Sequence, residues 1–304
     1  ACLPGDLLIK ALNSLTAEKI LIQQEVDGKV LLSSGRSKLK LPTLPTTDFP
    51  FEVPPESDDQ IKITADILKG IELCLIAVGN DPTHPAQMGV TLESSKMGAT
   101  LFSTDNFTVS RYKSDSKVSL PADIPVILPT FFCQQLVTLA KYFSDEQVTL
   151  DVHAGFLVAI FGDECKLFTK QLMDLEPMDF SSILKKYSVD AETKALAITI
   201  PDSFDSAFSR ALLVLGSEPD KVTKISLVKG QMKMVSTSSA GEAVDSFTYE
   251  DPEESPASAE PFYVDPTLVS RAAKVCTKVA LLERVMVLGS SDLTFVHMIS
   301  HCSA

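Results

Sequence analysis

The chain has 304 residues, 45% of them hydrophobic and 22% charged, with a formal net charge of −13. That apolar share supports packed cores and excludes global disorder, and no apolar run reaches membrane-spanning length. The charge excludes binding of nucleic acid by bulk attraction, which needs clustered Lys and Arg, but it permits local positive charge on an inner wall.

Pro4 opens a helical pattern with Leu8, Ala11, Leu12 and Leu15 on one face. Strands are expected over 19–26 and 29–33, joined at the hairpin dipeptide Asp27-Gly28. A third strand, 37–41, puts Leu39 and Leu41 on one face and Lys38 and Lys40 on the other. Pro42, Pro45 and Pro50 then punctuate an extended segment and forbid helix or central sheet.

A second kind of unit follows. It has a short strand over 61–64, a helix over 66–77 with Ile67, Leu68, Ile71 and Leu75 inward, and strands near 89–93, 98–103 and 108–113. The first grammar then returns. Pro129 precedes a helix with Phe132, Leu136, Leu139 and Phe143 at helical spacing, and strands 147–152, 156–161 and 165–172 follow around a His153-Ala154-Gly155 turn. The acidic stretch 174–180, with Pro177, is expected to be extended, like Thr47-Asp48-Phe49-Pro50.

The second unit recurs from 196–200, with a helix over 203–215 and strands near 224–228, 231–236 and 243–249. The acidic, proline-bearing run 250–256 reads as a solvated loop. A further copy of the first unit opens at Pro266, with Leu268, Ala272, Val275 and Val279 on one helix face and strands over 284–288 and 293–299. Three copies of one unit alternating with two of another are an internal repeat. Each packs a helix on strands of alternating polarity, an α+β arrangement. The sum is two complete domains and the second half of another, with expected boundaries 1–52, 53–182 and 183–304. The chain begins at Ala1 inside an apparent element, so the first half-domain is expected upstream of it.

Cys2, Cys74, Cys133, Cys165, Cys276 and Cys302 are scattered without close pairs. Cys74, Cys133 and Cys276 lie in apolar helical patterns and read as small hydrophobes, which fits a reducing cytoplasm. The four histidines, His84, His153, His297 and His301, show no ligand spacing with them, and no metal or cofactor is expected. No P-loop, Gly-x-Gly-x-x-Gly, Gly-x-Ser-x-Gly or His-Glu-x-x-His motif occurs, and His84 and His153 read as turn residues. The chain is not expected to be an enzyme.

The stretch 34–50, SGRSKLKLPTLPTTDFP, closely resembles the end of the first domain of bacterial and phage DNA sliding clamps, the beta subunit of DNA polymerase III. The resemblance extends from Pro4 to Ile299 through the order of repeats. It implies a DNA clamp fold built from helix-on-sheet half-domains. In that family two subunits close head to tail into a ring around duplex DNA, with helices lining the hole and sheet outside. The ring is a cytoplasmic processivity factor, placed by a clamp loader, that tethers the replicative polymerase and catalyses nothing.

Candidate DNA-facing cations are Arg271, Lys274 and Lys278, spaced i, i+3 and i+7 on the last helical pattern, with Lys10, Lys69, Lys141 and Arg210 on the other helices. The family's partner-peptide pocket has a loop reading Thr-Asp-Gly-His-Arg-Leu, and this chain has Thr104-Asp105-Asn106-Phe107-Thr108-Val109 at the matching place. Met178, Ile183, Phe295, Val296, His297, Met298 and Ile299 match the rest of that pocket. The resemblance also implies a homodimer interface with Leu39 and Leu41 on one side and Leu213 and Val214 on the other. The competing readings are a repeat-built structural or assembly protein without DNA function, and an enzyme with its site between repeats.

Overall fold

The computed structural model of the chain describes residues 2–16, 18–48, 54, 57, 60–95, 97–121, 124–163, 165–172, 175, 178–186, 198–216, 218–228, 230–249, 260–282 and 284–302. The chain divides into two compact units, Ala1–Val53 and Pro54–Ala304. The acidic run 250–256 lies outside the described residues.

In the first unit, helix α1 (Gly5–Asn13) precedes strands β1 (Leu21–Gln24), β2 (Val30–Ser34) and β3 (Ser37–Leu41), which form an antiparallel meander in that order. Pro4 suits the position before a helix because its ring fixes φ, here −61°. Gly28 supplies the positive φ, 81°, of the first turn, and Asp27 accepts the Lys29 N–H at 3.1 Å. Val30 and Leu32 alternate inward and meet Ala11 and Leu41, with Leu8, Leu12, Leu15 and Leu39 packed around them. Beyond β3, Leu44 bridges to Cys2 and Thr46–Asp48 forms a 3-10 turn within the segment expected to be extended. Residues 49 and 50 lie outside the described set.

The second unit begins with β4 (Ile61–Ile63), α2 (Ala65–Cys74), β5 (Gly89–Ser95), β6 (Gly98–Thr104) and β7 (Thr108–Ser114). Next come β8 (Val126–Pro129), α3 (Thr130–Tyr142), β9 (Val148–His153), β10 (Phe156–Phe161) and β11 (Cys165–Lys170). Then follow α4 (Phe180–Lys186), β12 (Ile198–Thr199), α5 (Phe204–Leu215), β13 (Thr223–Val228), β14 (Gln231–Ser238) and β15 (Gly241–Thr248). The chain closes with β16 (Phe262–Val264), α6 (Pro266–Ala272), β17 (Lys278–Leu281), β18 (Val285–Gly289) and β19 (Phe295–Ser300).

The unit has two four-stranded sheets, β11-β10-β9-β4 and β15-β14-β13-β16, and an eight-stranded sheet in the order β12-β17-β18-β19-β7-β6-β5-β8. The eight strands are continuous because β7 and β19 pair antiparallel, from Phe295 opposite Tyr112 to Ile299 opposite Thr108. One face of this seam joins the large core through Tyr112, Phe295 and Ile299. Val296 and Met298, of opposite orientation, join a second cluster with Phe102, Phe180 and Leu184 from α4. Helix α2 lies close to the sheet because Gly70 has no side chain; a Cβ there would meet the Tyr112 ring at 2.5 Å.

Two expectations are corrected here. The last residue of the stretch 174–180 is not extended: Phe180 starts α4, with the Asp179 carboxylate accepting the Ser182 N–H at 3.0 Å as a cap, while 174, 176 and 177 lie outside the described residues. The last helical pattern also stops early. Helix α6 ends at Ala272, Thr277 N–H bonds the Gly289 carbonyl, and Lys278 and Val279 pair with β12 and β18. Val275 is left exposed, and Cys276 follows the helix rather than lying in it. All six cysteines are free; burial raises the thiols of Cys74, Cys133 and Cys276, the last two to about 12.

Candidate functional site

The loop joining β6 to β7 is built on one carboxylate. Asp105 Oδ1 accepts the N–H groups of Phe107 and Thr108 at 3.1 and 2.7 Å and the Thr108 hydroxyl at 2.8 Å. Thr104 Oγ1 donates to the Thr108 carbonyl at 2.7 Å and accepts from Asn106 N–H at 3.2 Å. Asn106 adopts φ +72°, a left-handed conformation that Asn tolerates, and its Oδ1 accepts from buried Gln87 Nε2 at 2.6 Å. The loop therefore holds Phe107 outward, 64% exposed, while its carbonyl accepts the Ser300 N–H at 2.8 Å.

Below Phe107 lies a cavity of about 210 Å³, lined by Thr104, Asn106, Phe107, Val109, Met178, Ile183, Val285, Met298 and Ser300. Val109 and Met298 sit opposite each other across the β7–β19 seam, and Val285 pairs with Ser300. Helix α4 and its entry supply Met178 and Ile183, held in place by Phe180 stacked on Phe102 at 4.6 Å. No ionisable side chain lines the cavity among the described residues. Its chemistry is apolar with three small polar groups, and the two Met side chains make it adaptable. Near α4, burial and then Asp179 raise the Glu93 carboxyl, whereas the Ser182 hydrogen bonds lower Asp179.

Thr104, Phe107, Val109, Met178, Ile183 and Met298, all matched from the sequence, come together at this cavity. Asp105 lies behind the loop and is not a lining residue. Phe295 and Ile299 point into the large core on the opposite face, and Val296 is buried in the cluster beside α4. His297 is fully buried, its Nδ1 2.8 Å from Ser110 Oγ and its Nε2 without a partner. Burial holds its pKa near 3. Those four residues are corrected from lining to supporting positions. Asn106, Val285 and Ser300 were not singled out from the sequence; the pairing of β18 with β19 is what brings the latter two to the rim.

Among the candidate cations, Lys10 is exposed on α1, Lys69 on α2, and Lys274 in the turn after α6. Lys141 Nζ pairs with Glu72 at 2.9 Å, Arg210 with Asp245 at 2.5 Å and Arg271 with Asp105 at 3.0 Å. Lys278 sits on β17, donating to Thr199 Oγ1 at 3.1 Å, so the three-residue helical stripe expected with Arg271 and Lys274 does not form. Leu41 is buried in the small core of the first unit and Leu39 packs against it. Leu213 is 80% exposed, and half-buried Val214 offers its carbonyl to Ser238 Oγ at 2.7 Å.

No protein-family model matches the chain. Over 215 residues it is 29% identical to the beta sliding clamp of Proteus mirabilis, covering 70% of this chain and 56% of that protein. The beta sliding clamp of Pseudomonas putida is 24% identical over 234 residues, covering 76% of this chain and 61% of that protein. The chain thus spans less than two thirds of the length of these relatives. Among crystal structures, the DNA polymerase III beta subunit of Thermotoga maritima superposes with a TM-score of 0.82 at 16% identity, over 99% of this chain and 81% of that one. The corresponding subunit from Pseudomonas aeruginosa gives 0.78 at 18% identity, over 99% and 81%.

Proposed function

Since the chain belongs to the DNA polymerase III beta sliding clamp family, non-enzymatic proteins whose α+β clamp fold it has, we propose that it is a processivity factor that encircles duplex DNA. Its partners in this reading are the replicative polymerase and a clamp loader, and its working form is a homodimeric ring in the cytoplasm. No helix among the described residues is long and apolar enough to cross a membrane.

The observation that carries the reading is the cavity at the β7–β19 seam, with its Met and branched aliphatic lining. Such a surface suits a short apolar peptide segment that a polymerase or loader presents. The domains of the reading are 1–52, 53–182 and 183–304, each made of helix-on-sheet half-domains, with one half of the first. The helices line the hole, and Lys10, Lys69, Lys141, Arg210 and Lys274 give loose phosphate contacts without base reading, which suits sliding; Arg271 is held by Asp105 instead. Exposed pairs such as Lys141 with Glu72 contribute little and exchange readily with phosphate. The subunit interface uses the outer edges of β3 and β15 together with Leu213, since Leu39 and Leu41 face their own core.

Negative-stain imaging of the concentrated protein tests this. Two chains forming a ring with a hole wide enough for duplex DNA support the proposal. Compact particles without a hole at every concentration sink it.

A further inference from the structure

Arg271 has the sequence credentials of a phosphate contact, yet its guanidinium is engaged elsewhere. Nη1 donates to Asp105 Oδ2 at 3.0 Å and reaches the Ile76 carbonyl at 3.5 Å. Asp105 is the carboxylate whose other oxygen takes the Phe107 and Thr108 N–H groups and the Thr108 hydroxyl. Its side chain is 15% exposed, so Oδ2 depends on a protein donor for much of its solvation. Arg271 comes from α6, whose start is fixed by Asp265 accepting the Thr267 N–H at 2.7 Å. Helix α6 thus holds the back of the loop whose front, Asn106 and Phe107, forms the rim of the cavity.

We infer that Arg271 is a positioning residue of the apolar cavity: by holding Asp105 it sets the 105–108 loop and places Phe107 and Asn106 for an apolar peptide. The inference rests on the reading of that cavity as a peptide receptor. Two opposed ties set the loop, the ion pair from α6 and the Gln87–Asn106 bond. The loop's own donors satisfy only Oδ1, so without Arg271 the Oδ2 oxygen takes its partner from solvent and the loop loses its tie to α6. A charge-assisted bond to a planar guanidinium fixes both its direction and its distance.

The test uses the whole protein with [13C]methyl methionine, the Met178 and Met298 methyl resonances as reporters, and N-acetyl-leucyl-phenylalanine amide as probe. Arg271→Ala is expected to weaken the probe about three- to ten-fold, the range of a partly exposed charge-assisted pair, with the melting temperature moved by less than about 2 °C. Arg271→Lys, which keeps the charge but not the planar guanidinium, restores only part of the affinity. Asp105→Asn weakens the probe like Arg271→Ala, and the double variant is no worse than either single one. If Arg271→Ala and Asp105→Asn both bind as the parent does, the inference fails and the cavity reading stands. If the parent shows no saturable shift at Met178 or Met298, the cavity reading fails and the inference falls with it.

Discussion

The rings of Phe102 and Phe180 lie face to face, centroids 4.6 Å apart and planes 2° from parallel. This stack fastens α4 to β6 and so holds Met178 and Ile183 against the cavity. Phe180→Ala removes a side chain that is 2% exposed, a change that costs about 3 kcal/mol or more. The loss should fall on α4, which this ring fastens, rather than on the sheet. Hydrogen exchange of amides in Phe180–Lys186 is expected to speed up by about 100-fold, while β5 to β7 keep their protection. Equal protection of α4 in parent and variant would refute the anchoring role.

Gly70 and Tyr112 are in closer contact than any side chain would allow. The Tyr112 hydroxyl donates to Asp66, and Ser114 donates to the same carboxylate, so the ring has little room to retreat. Gly70→Ala therefore forces either the ring or α2 outward. The expected cost is about 1–3 kcal/mol by overpacking, despite the better helix propensity of Ala. Urea unfolding measures it, and an unchanged or raised midpoint would contradict the packing argument.

His297 makes stability depend on acid. Burial lowers its pKa from 6.5 to about 3, with Asp105 opposing and Arg271 reinforcing the shift. The folded protein keeps the imidazole neutral while the unfolded chain protonates below 6.5, so the unfolded state binds more protons between the two values. Stability therefore falls as pH drops through that window, by about 2 kcal/mol from this group at pH 5. His297→Leu removes the titration but leaves Ser110 unpaired, so it is less stable at pH 7.5. Urea unfolding at pH 7.5 and pH 5 should show the gap between parent and variant narrowing. A constant gap would mean that the imidazole titrates normally.

Leu213 is a large apolar side chain 80% exposed on α5, one residue before Val214. Isolated exposure is common, but on a proposed subunit interface this position is a candidate anchor. Leu213→Asp is expected to weaken the homodimer by about ten-fold or more, with the fold intact by circular dichroism. Sedimentation of parent and variant across a dilution series reads the shift. Identical association would remove Leu213 from the interface.

Much of the fold is legible locally. The alternation of Leu39 and Leu41 predicts β3 over the residues that form it, and Pro129 marks the start of α3. Asp27-Gly28 predicts the first turn because only a few residue types adopt positive φ cheaply. These features depend on neighbours within a few residues, so the chain itself encodes them.

Tertiary structure decided the rest. Val275 and Val279 continue a helical spacing, but pairing with β12 and β18 takes Lys278 and Val279 into a strand and breaks up the cationic stripe. Helix α4 owes its position to a partner ring on a distant strand. In β19, Phe295, Val296, His297, Met298 and Ile299 are all buried, because helices cover one face and α4 the other. A strand covered on both sides loses the period-two contrast that marks an inward face. Its sequence therefore determined that β19 is buried, and its register with β7 decided that Met298 meets the cavity while His297 turns away from it.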